Sequence, residues 1–196
     1  MTPMLGIMAS SISGSKISTS SYESIATVTA TGVETTISFT SIPSTYKHLQ
    51  LRGIGRSVTT AFGATSVNYI FKLNSDATSA NYRSHYLVGN TSTAAAGSNS
   101  GYAGMFINGG AVSAGTTAGT YGAVIIDFID YASTTKNKTV KAITGQDFNT
   151  ASTYQGINLD SGVWINTAAV TSISFVNDDP AAYAAGSTWA LYGIKG

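Results

Sequence analysis

The two histidines are the residues that a catalytic serine would need, and neither stands in a catalytic motif. A hydrolytic triad requires a serine hydroxyl beside an imidazole that a carboxylate orients. His48 lies on the polar side of an alternating stretch, and His85 stands in a similar strand-like stretch. The chain has no G-x-S-x-G segment, which forms the turn that exposes the nucleophile in many hydrolases. We therefore expect both histidines to be strand-surface or interface residues.

Four aspartates are candidates for the paired carboxylates of a glycosidase, which lie roughly 5 to 9.5 Å apart. They are Asp127, Asp130, Asp147 and Asp160. Residues i and i+3 of a strand point to opposite faces, so Asp127 and Asp130 make a poor pair. We expect Asp127 to neutralise a Lys or Arg, or to accept hydrogen bonds from loop backbone.

The sequence gives weak support to a metal site and excludes thiol chemistry. Asp178 and Asp179 lack the D-x-D-x-D-G spacing of a calcium loop, and capping of a helix explains the pair more simply. The chain has no cysteine, so thiol nucleophiles, disulfides and Cys-zinc sites are impossible. We expect a protein that is not an enzyme and that holds no metal and no cofactor.

Aromatic residues offer a binding chemistry instead, because their rings stack on the apolar faces of sugars. The chain has 11 Tyr and 2 Trp, enough to build such a surface. Trp164 and Trp189 stand in strand-like stretches, however, and the simpler interpretation places them in the core. Sugar binding by exposed rings stays open as an alternative.

The charge balance limits the partners of the chain. Charged residues make up 10% of it and the net charge is +1, with no basic run, which argues against a nucleic-acid surface. No apolar run approaches the ~20 residues of a membrane helix. The first 14 residues lack the basic start of a signal peptide, so we expect synthesis without export. The 26 Ser and 27 Thr replace charge as the source of solubility and favour strands over helices.

Alternation of apolar and polar residues predicts half-buried antiparallel strands. Ile37 and Phe39 share one face of residues 35–40, and the same period appears at 48–52 and 171–176. Weaker alternation predicts strands at 24–29, 68–73, 82–88, 105–107, 138–144, 162–165 and 188–194. Residues 121–131 are apolar on both faces, which indicates either the centre of a sandwich under a loop or a subunit interface.

Three further segments complete the predicted organisation. Residues 91–120 are mostly Gly, Ala, Ser and Thr, which predicts long surface loops around one short strand. Residues 178–186 combine capping aspartates, a proline, alanines and a final glycine, the one helical signal in the chain. The whole pattern predicts an all-β, jelly-roll-like antiparallel sandwich of ~9–10 strands over residues 22–196.

Residues 1–21 are predicted to form an N-terminal arm ahead of the sandwich. The arm is rich in Ser and begins with a small apolar knot. Such a segment buries little surface by itself, so we expect a neighbouring subunit to hold it. The candidate interface residues are those of the knot: Met4, Leu5, Ile7 and Met8.

Several segments resemble small virion proteins of tailed bacteriophages, particularly phages of cyanobacteria and marine bacteria. Residues 2–11 (TPMLGIMASS) are similar to the N-terminal arm of that group. The other similar segments are 21–27 (SYESIAT), 42–53 (IPSTYKHLQLRG), 126–131 (IDFIDY) with 135–139 (TKNKT), and 190–196 (ALYGIKG). The resemblance implies a structural β protein on the outside of the virion, which is assembled in the cytoplasm of the bacterial host, and it transfers no catalytic residue.

Two locations on the particle fit that resemblance. We expect a capsid decoration, or cement, protein on the outer surface of the head, which forms a homotrimer and contacts the major capsid protein. The alternative is a tail-fibre or baseplate appendage that binds a host surface glycan. An apolar patch at the arm end favours decoration, whereas exposed Tyr or Trp at the loop end favours the appendage. A third alternative, a polysaccharide-degrading enzyme, needs a cleft with two facing carboxylates.

Overall fold

Alternating side chains form twelve strands in the part of the chain that the computed structural model describes, residues 21–60, 65–148 and 154–196. The strands are β1 (Tyr22–Thr29), β2 (Thr36–Phe39), β3 (His48–Gly55), β4 (Ser66–Leu73), β5 (Tyr82–Asn90), β6 (Ala94–Asn99), β7 (Met105–Val112), β8 (Gly122–Ile129), β9 (Lys138–Gln146), β10 (Gly156–Trp164), β11 (Ile173–Asn177) and β12 (Thr188–Ile194). One turn of 3-10 helix, Ser79–Asn81, precedes β5. The predicted all-β sandwich is confirmed.

The strands form two antiparallel sheets of unequal width. The large sheet has eight strands in the order β1-β12-β3-β8-β9-β10-β5-β6, and the small sheet has four in the order β2-β11-β4-β7. The described chain crosses between the sheets eight times, and four of these crossings connect strands at the same place in the two strand orders: β1/β2, β11/β12, β3/β4 and β7/β8. Strands β9, β10, β5 and β6 extend the large sheet beyond the four strands, β1, β12, β3 and β8, that take part in these crossings.

An aromatic cluster fills the space between the sheets. The Tyr69 and Phe175 ring centroids are 5.1 Å apart, and Trp189 lies 5.4 Å from Phe175 and 4.7 Å from Tyr183. These are edge-to-face and tilted contacts, which aromatic rings prefer to direct stacking. Trp189 is fully buried, and Trp164 is buried too, as the sequence predicted. Gly53 makes room for Trp189, because a Cβ there would stand 2.1 Å from the indole Cδ1.

Strand β8 explains the segment that is apolar on both faces. Val124, Ile126 and Phe128 point inwards and are buried, as the period of two predicts. On the other side, Ile125 and Ile129 stay 43% and 39% exposed. The strand lies between β3 and β9 near the middle of the large sheet, so the predicted position at the centre of a sandwich is correct. The described residues leave its outer face open to solvent.

The prediction of long loops around one short strand over residues 91–120 was wrong in part. The strand predicted at 105–107 lies within Met105–Val112, which has 8 residues and pairs with β4, and a second strand of 6 residues, Ala94–Asn99, pairs with β5. Strand β7 is buried along almost its whole length, including Ala111 and Val112. Gly and Ala serve here as small inward-facing residues beneath the ring of Tyr69, which a Cβ at Gly110 would meet at 2.3 Å. Composition alone therefore indicated a loop where close packing requires small side chains.

A single arginine holds the loop that follows β7. The Arg56 guanidinium donates five hydrogen bonds into this loop, to the Thr116 hydroxyl and to the carbonyl oxygens of Ala114, Thr116, Thr117 and Thr120, at 2.8 to 3.1 Å. Charge-assisted bonds of this kind are about twice as strong as neutral ones. The Ser/Thr-rich loop is thereby fixed against the end of β3.

The predicted helix over residues 178–186 was also wrong. Its backbone pairs with the segment after β3, since Val58 N donates to Ala182 O at 2.9 Å and Tyr183 forms a β-bridge with Ser57. This extended path carries Tyr183 into the aromatic cluster, where its side chain is fully buried. Burial of the ring outweighs the modest helix propensity of the neighbouring alanines.

Candidate functional site

Five branched aliphatic side chains lie together on the outer face of the large sheet. Leu87 is in register with Leu159, Leu159 with Ile143, and Ile143 with Ile125, so one row crosses four adjacent strands. Ile157 lies beside the row on β10. Their exposed fractions run from 43% for Ile125 to 59% for Ile157. We call these five residues the aliphatic row.

Two glycines deepen the surface of the aliphatic row into a groove. Gly89 and Gly145 are the register partners of Ile157 on either side, and neither covers it with a side chain. The resulting apolar groove has a volume of about 380 Å³. Contiguous exposed apolar surface of this kind marks interaction sites on soluble proteins.

The aliphatic row ends at a cation held between two aromatic rings. Arg52, the register partner of Ile125 on β3, stands 5.2 Å from the Tyr22 ring centroid and 5.6 Å from that of Tyr192. Its Nε donates to Gln50, which fixes the side chain. Arginine and tyrosine are enriched in protein interfaces, particularly among the residues that contribute most to binding.

Among the described residues of the small sheet, the apolar side chains on the outer face, Val176, Ile70 and Phe106, are more buried than the aliphatic row. Ser38, Ser174 and Lys72 are register partners across β2, β11 and β4 and form a polar row on its outer face. The two outer faces of the sandwich therefore differ in chemistry. This contrast makes the large sheet the side on which a partner subunit gains most from burial.

A second candidate site lies on the inner side, where β5 and β10 meet the edge of the small sheet. Strand β7 is that edge, and it packs on β8, β9, β10 and β5. Beside it opens a cleft of about 330 Å³, which we call the polar cleft. Its lining includes Asn68, Tyr86, Asn108, Gln146, Tyr154 and Asn158.

Behind the polar cleft lies a chain of buried hydrogen bonds. Asn158 Nδ2 donates to Thr144 Oγ1 at 2.9 Å, and that hydroxyl donates to Asn108 O at 2.6 Å. Asn108 Nδ2 donates in turn to Asp160 Oδ1 at 2.6 Å. Burial raises the pKa of Asp160 to about 6, although the bonds from Asn108 oppose this shift. Asp160 Oδ2 receives no hydrogen bond from the described residues.

The histidines do not form a catalytic group. His48 Nδ1 accepts a hydrogen bond from Asp130 N at 3.0 Å and stands 3.7 Å from its carboxylate. His85 lies on the outer face of β5, four strands away across the large sheet, or about 19 Å at the usual strand spacing. Their placement on strand surfaces agrees with the prediction.

The carboxylates do not converge either. Asp127 accepts from Gln50 Nε2 at 2.7 Å and lies 3.9 Å from Lys141 Nζ, so it neutralises a lysine as predicted. Asp130 binds Lys136 at 2.7 Å and Lys47 at 3.2 Å, and these lysines lower its pKa to about 2. Asp127 lies on the outer face of the large sheet and Asp160 lies between the sheets, so these two cannot face a common substrate.

The adjacent aspartates 178 and 179 bind groups of the chain itself. Asp178 accepts from the backbone N and the side-chain Nδ2 of Asn68, at 3.1 and 2.7 Å. Asp179 accepts from Ser57 Oγ and from Ala181 N, both at 3.0 Å. Asp178 therefore binds a residue of β4 and Asp179 binds residues of the connecting segments, and neither caps the predicted helix. Within the described ranges, no group of three or more His, Cys, Asp or Glu side chains is placed to hold a metal ion.

The candidate interface residues Met4, Leu5, Ile7 and Met8 lie outside the described residues. The described chain begins at Ser21, whose carbonyl accepts a hydrogen bond from Lys195 N at 3.0 Å. Lys195 Nζ also binds Glu23, and Tyr46 Oη donates to the same carboxylate at 3.0 Å. The segment before Ser21 is thus joined to a firmly held edge of the large sheet.

Sequence reasoning missed most of the aliphatic row and all of the amides of the polar cleft. The one available signal for the row was the second apolar face of β8, which contains Ile125. Ile143 and Leu159 extend that face only once the register of β8, β9 and β10 is known. Gln146 and Asn158 stand in alternating strands at positions that a period of two assigns to the inner face, where an amide is unusual.

Comparisons with protein-family models, with curated proteins and with solved structures gave no match for this chain. Among the described residues, no helix is both long enough and apolar enough to span a membrane. The geometry of the aliphatic row and of the polar cleft therefore carries the functional conclusion.

Proposed function

We propose that this chain is a structural protein of a tailed-bacteriophage virion, a capsid decoration protein on the outer surface of the head. The observation that carries the proposal is the exposed aliphatic row, which ends at Arg52 between Tyr22 and Tyr192. Full burial of one aliphatic side chain contributes ~1.5–3 kcal/mol relative to full exposure. Half-exposed side chains on four adjacent strands therefore form a suitable apolar centre for a subunit contact.

The strand order supports a jelly-roll core. The order β1-β12-β3-β8 in the large sheet matches the order β2-β11-β4-β7 in the small sheet, and the chain passes from one sheet to the other between β1 and β2, β3 and β4, β7 and β8, and β11 and β12. This is the order that a double-sheet jelly roll gives, and the fold is widespread in viral capsid proteins. Fold alone does not define function, so the strand order supports the proposal only together with the exposed aliphatic row.

The proposed assembly is a homotrimer in which the arm of one copy covers the aliphatic row of the next. Residues 9–20 separate the apolar knot from Ser21, and twelve extended residues reach about 40 Å. The distance from β1 to β9 across the sheet is about 19 Å. An arm-to-face contact is head-to-tail, and such a contact forms a ring when its rotation closes, here after three copies. Repetition over a shell raises the overall affinity for the major capsid protein through multivalency.

The oligomeric state of the purified full-length chain tests the subunit contact. The double variant Leu159→Lys/Ile143→Lys introduces two ammonium groups into the proposed interface. Burying them unpaired costs several kcal/mol, so we expect association to weaken at least ~100-fold. Size-exclusion chromatography with light scattering measures the mass directly.

Ser38→Lys is the control for added surface charge, because it places one lysine on the outer face of the small sheet, away from the proposed contact. We expect wild type and Ser38→Lys to be trimers and the double variant to be a folded monomer. A wild-type monomer at high concentration, or a double variant that stays trimeric, contradicts the proposed contact. Imaging of intact particles with a tagged chain tests the location on the head.

The second candidate function is a tail-fibre or baseplate appendage that binds a host surface glycan. The polar cleft favours it, because side-chain amides and tyrosine rings are the groups that recognise sugars. A density for the tagged chain on the tail, with none on the head, selects this candidate over decoration.

A further inference from the structure

We infer that the polar cleft binds the ring of a neutral carbohydrate. This inference goes beyond subunit assembly and is independent of it. The aliphatic row lies on the outer faces of β5, β9 and β10, whereas the cleft opens on the inner faces of the same strands. A sugar and a neighbouring subunit can therefore occupy the protein together.

The size of the cleft fits a small ligand. Its volume of about 330 Å³ lies at the lower end of the ~300–1,000 Å³ that ligand pockets span. A second depression of about 290 Å³ adjoins it and shares Ser66, Asn68 and Tyr154 with it. The two together accommodate a sugar ring and the start of a linked residue.

One buried acceptor in the cleft lacks a donor. Gln146 is only 9% exposed, and no described residue donates a hydrogen bond to its Oε1. Its Nε2 donates to Tyr154 O at 3.3 Å. A buried polar atom without a partner carries a free-energy cost, which a ligand hydroxyl removes once the Gln146 side chain turns its Oε1 towards the cleft.

A glycine lets two amides pack closely at the back of the cleft. Gly109 has a φ of +64°, and a Cβ there would stand 2.9 Å from Gln146 Oε1 and 2.6 Å from Asn158 Nδ2. The amides of Gln146 and Asn158 thus lie side by side against the backbone of Gly109, and both residues line the cleft. An amide both donates and accepts, and this combination matches adjacent hydroxyls of a sugar, which do the same.

Two tyrosines supply the apolar part of the site. Tyr86 on β5 and Tyr154 before β10 line the cleft, and Tyr154 is 62% exposed. Aromatic rings pack against the C–H faces of sugars while their hydroxyls reach polar groups. The site therefore combines ring contacts with directed hydrogen bonds.

The charge around the cleft selects neutral sugars. None of its described lining residues is Lys or Arg, so a carboxylate or phosphate on the ligand finds no counter-charge. Asp160 lies behind Asn108, and Asp178 is bonded to Asn68 at the rim. Both aspartates disfavour an anionic ligand when they are ionised.

Saturation-transfer-difference NMR on the full-length chain tests the inference. The probes are the methyl glycosides of glucose, galactose, mannose, N-acetylglucosamine, fucose and rhamnose, with N-acetylneuraminic acid as the acidic comparison. We expect saturation transfer to at least one neutral glycoside and none to the acid. Gln146→Met, which keeps the volume and removes the amide, should weaken binding about tenfold, the usual effect of losing one or two hydrogen bonds.

Lys141→Met is the matched control, because it makes a similar change on the outer face of the same strand, and it should bind like wild type. Should Gln146→Met fail to fold, the side-chain amide signals of Gln146 and Asn158 in the wild-type protein must shift on titration. The inference is overturned when no neutral glycoside gives transfer, when the acid binds best, or when the Gln146 amide neither shifts nor affects affinity. These results do not depend on whether the chain is a trimer.

Discussion

Asp160 is the described carboxyl group whose ionisation opposes the fold most directly. It is fully buried, and only one of its two oxygens receives hydrogen bonds, both from Asn108. Its pKa is raised by burial to about 6 from its ordinary 3.8. The folded protein therefore binds a proton more tightly than the unfolded chain does, and Asp160 favours folding most at low pH.

We expect stability to fall as the pH rises from about 4 to 6 and to level off above that range. The difference of about 2 pH units corresponds to a loss on the order of 3 kcal/mol at pH 7. Asp160→Asn mimics the protonated carboxyl, so the variant should be more stable than wild type at pH 7 and equally stable near pH 4. Urea unfolding of both proteins across this range measures the difference, and parallel curves for the two contradict the assignment.

At the scale of single residues, the sequence predicted roles that depend on near neighbours in the chain. The burial of Trp164 and Trp189 followed from alternation within their own strands. Asp160 shows the limit, because its environment comes from Asn108, which lies 52 positions away on the opposite sheet. No local pattern contains that contact.

At the scale of elements, β8 places apolar side chains both in the core and on the outer surface. Ile126 is fully buried between the sheets, whereas its neighbour Ile125 belongs to the aliphatic row. The same side chain on the same strand therefore serves the core at one position and the surface at the next.

We expect Ile126→Ala to lower the free energy of unfolding by about 2–5 kcal/mol, because it removes packing and leaves a cavity. Ile125→Ala should change the stability of the monomer by less than about 0.5 kcal/mol. Both are measured by urea unfolding in the Leu159→Lys/Ile143→Lys background, so that association does not contribute. Equal losses for the two variants mean that the assignment of the faces is wrong.

Strand prediction succeeded where one face is buried and the other is polar, as at Ile37 and Phe39. It failed in β7, where close packing demanded small residues, and in the mostly exposed β6, because Gly and Ala also indicate loops. The segment around Tyr183 failed for a different reason. Its local helix signal was real, but burial of the ring in a cluster formed by β4, β11 and β12 determined the backbone path.

At the scale of the whole molecule, the two-sheet architecture followed from the strand pattern, but the unequal widths did not. Strands β9 and β10 follow β8 as consecutive neighbours, and β6 follows β5, but the pairing of β10 with β5 joins segments that are far apart in the chain. The aliphatic row and the polar cleft both depend on these four strands. Neither site was therefore visible as a unit in the sequence.

Deletion of residues 1–15 tests the arm within the assembled particle. We expect the truncated chain to fold, because the described core lies wholly within residues 21–196, and to lose incorporation into the virion. Replacement of Met4, Leu5, Ile7 and Met8 by serine keeps the arm length and should have the same effect. The measurement is the amount of protein on purified particles together with the thermal unfolding midpoint. Normal incorporation of either variant contradicts the role of the arm.

Because the small sheet covers only part of the inner surface of the large sheet, amino-acid substitutions are constrained more strongly in the covered part than near the uncovered edge. Beneath the small sheet, each side chain is constrained by its packing partners, and most substitutions there threaten folding. Near the β6 edge, Tyr86, Val88 and Asn90 are only half-buried and carry little of that constraint. Amino-acid changes can accumulate at this edge while the aromatic cluster stays intact, so relatives of this protein should diverge fastest there and acquire new ligand preferences without losing the scaffold.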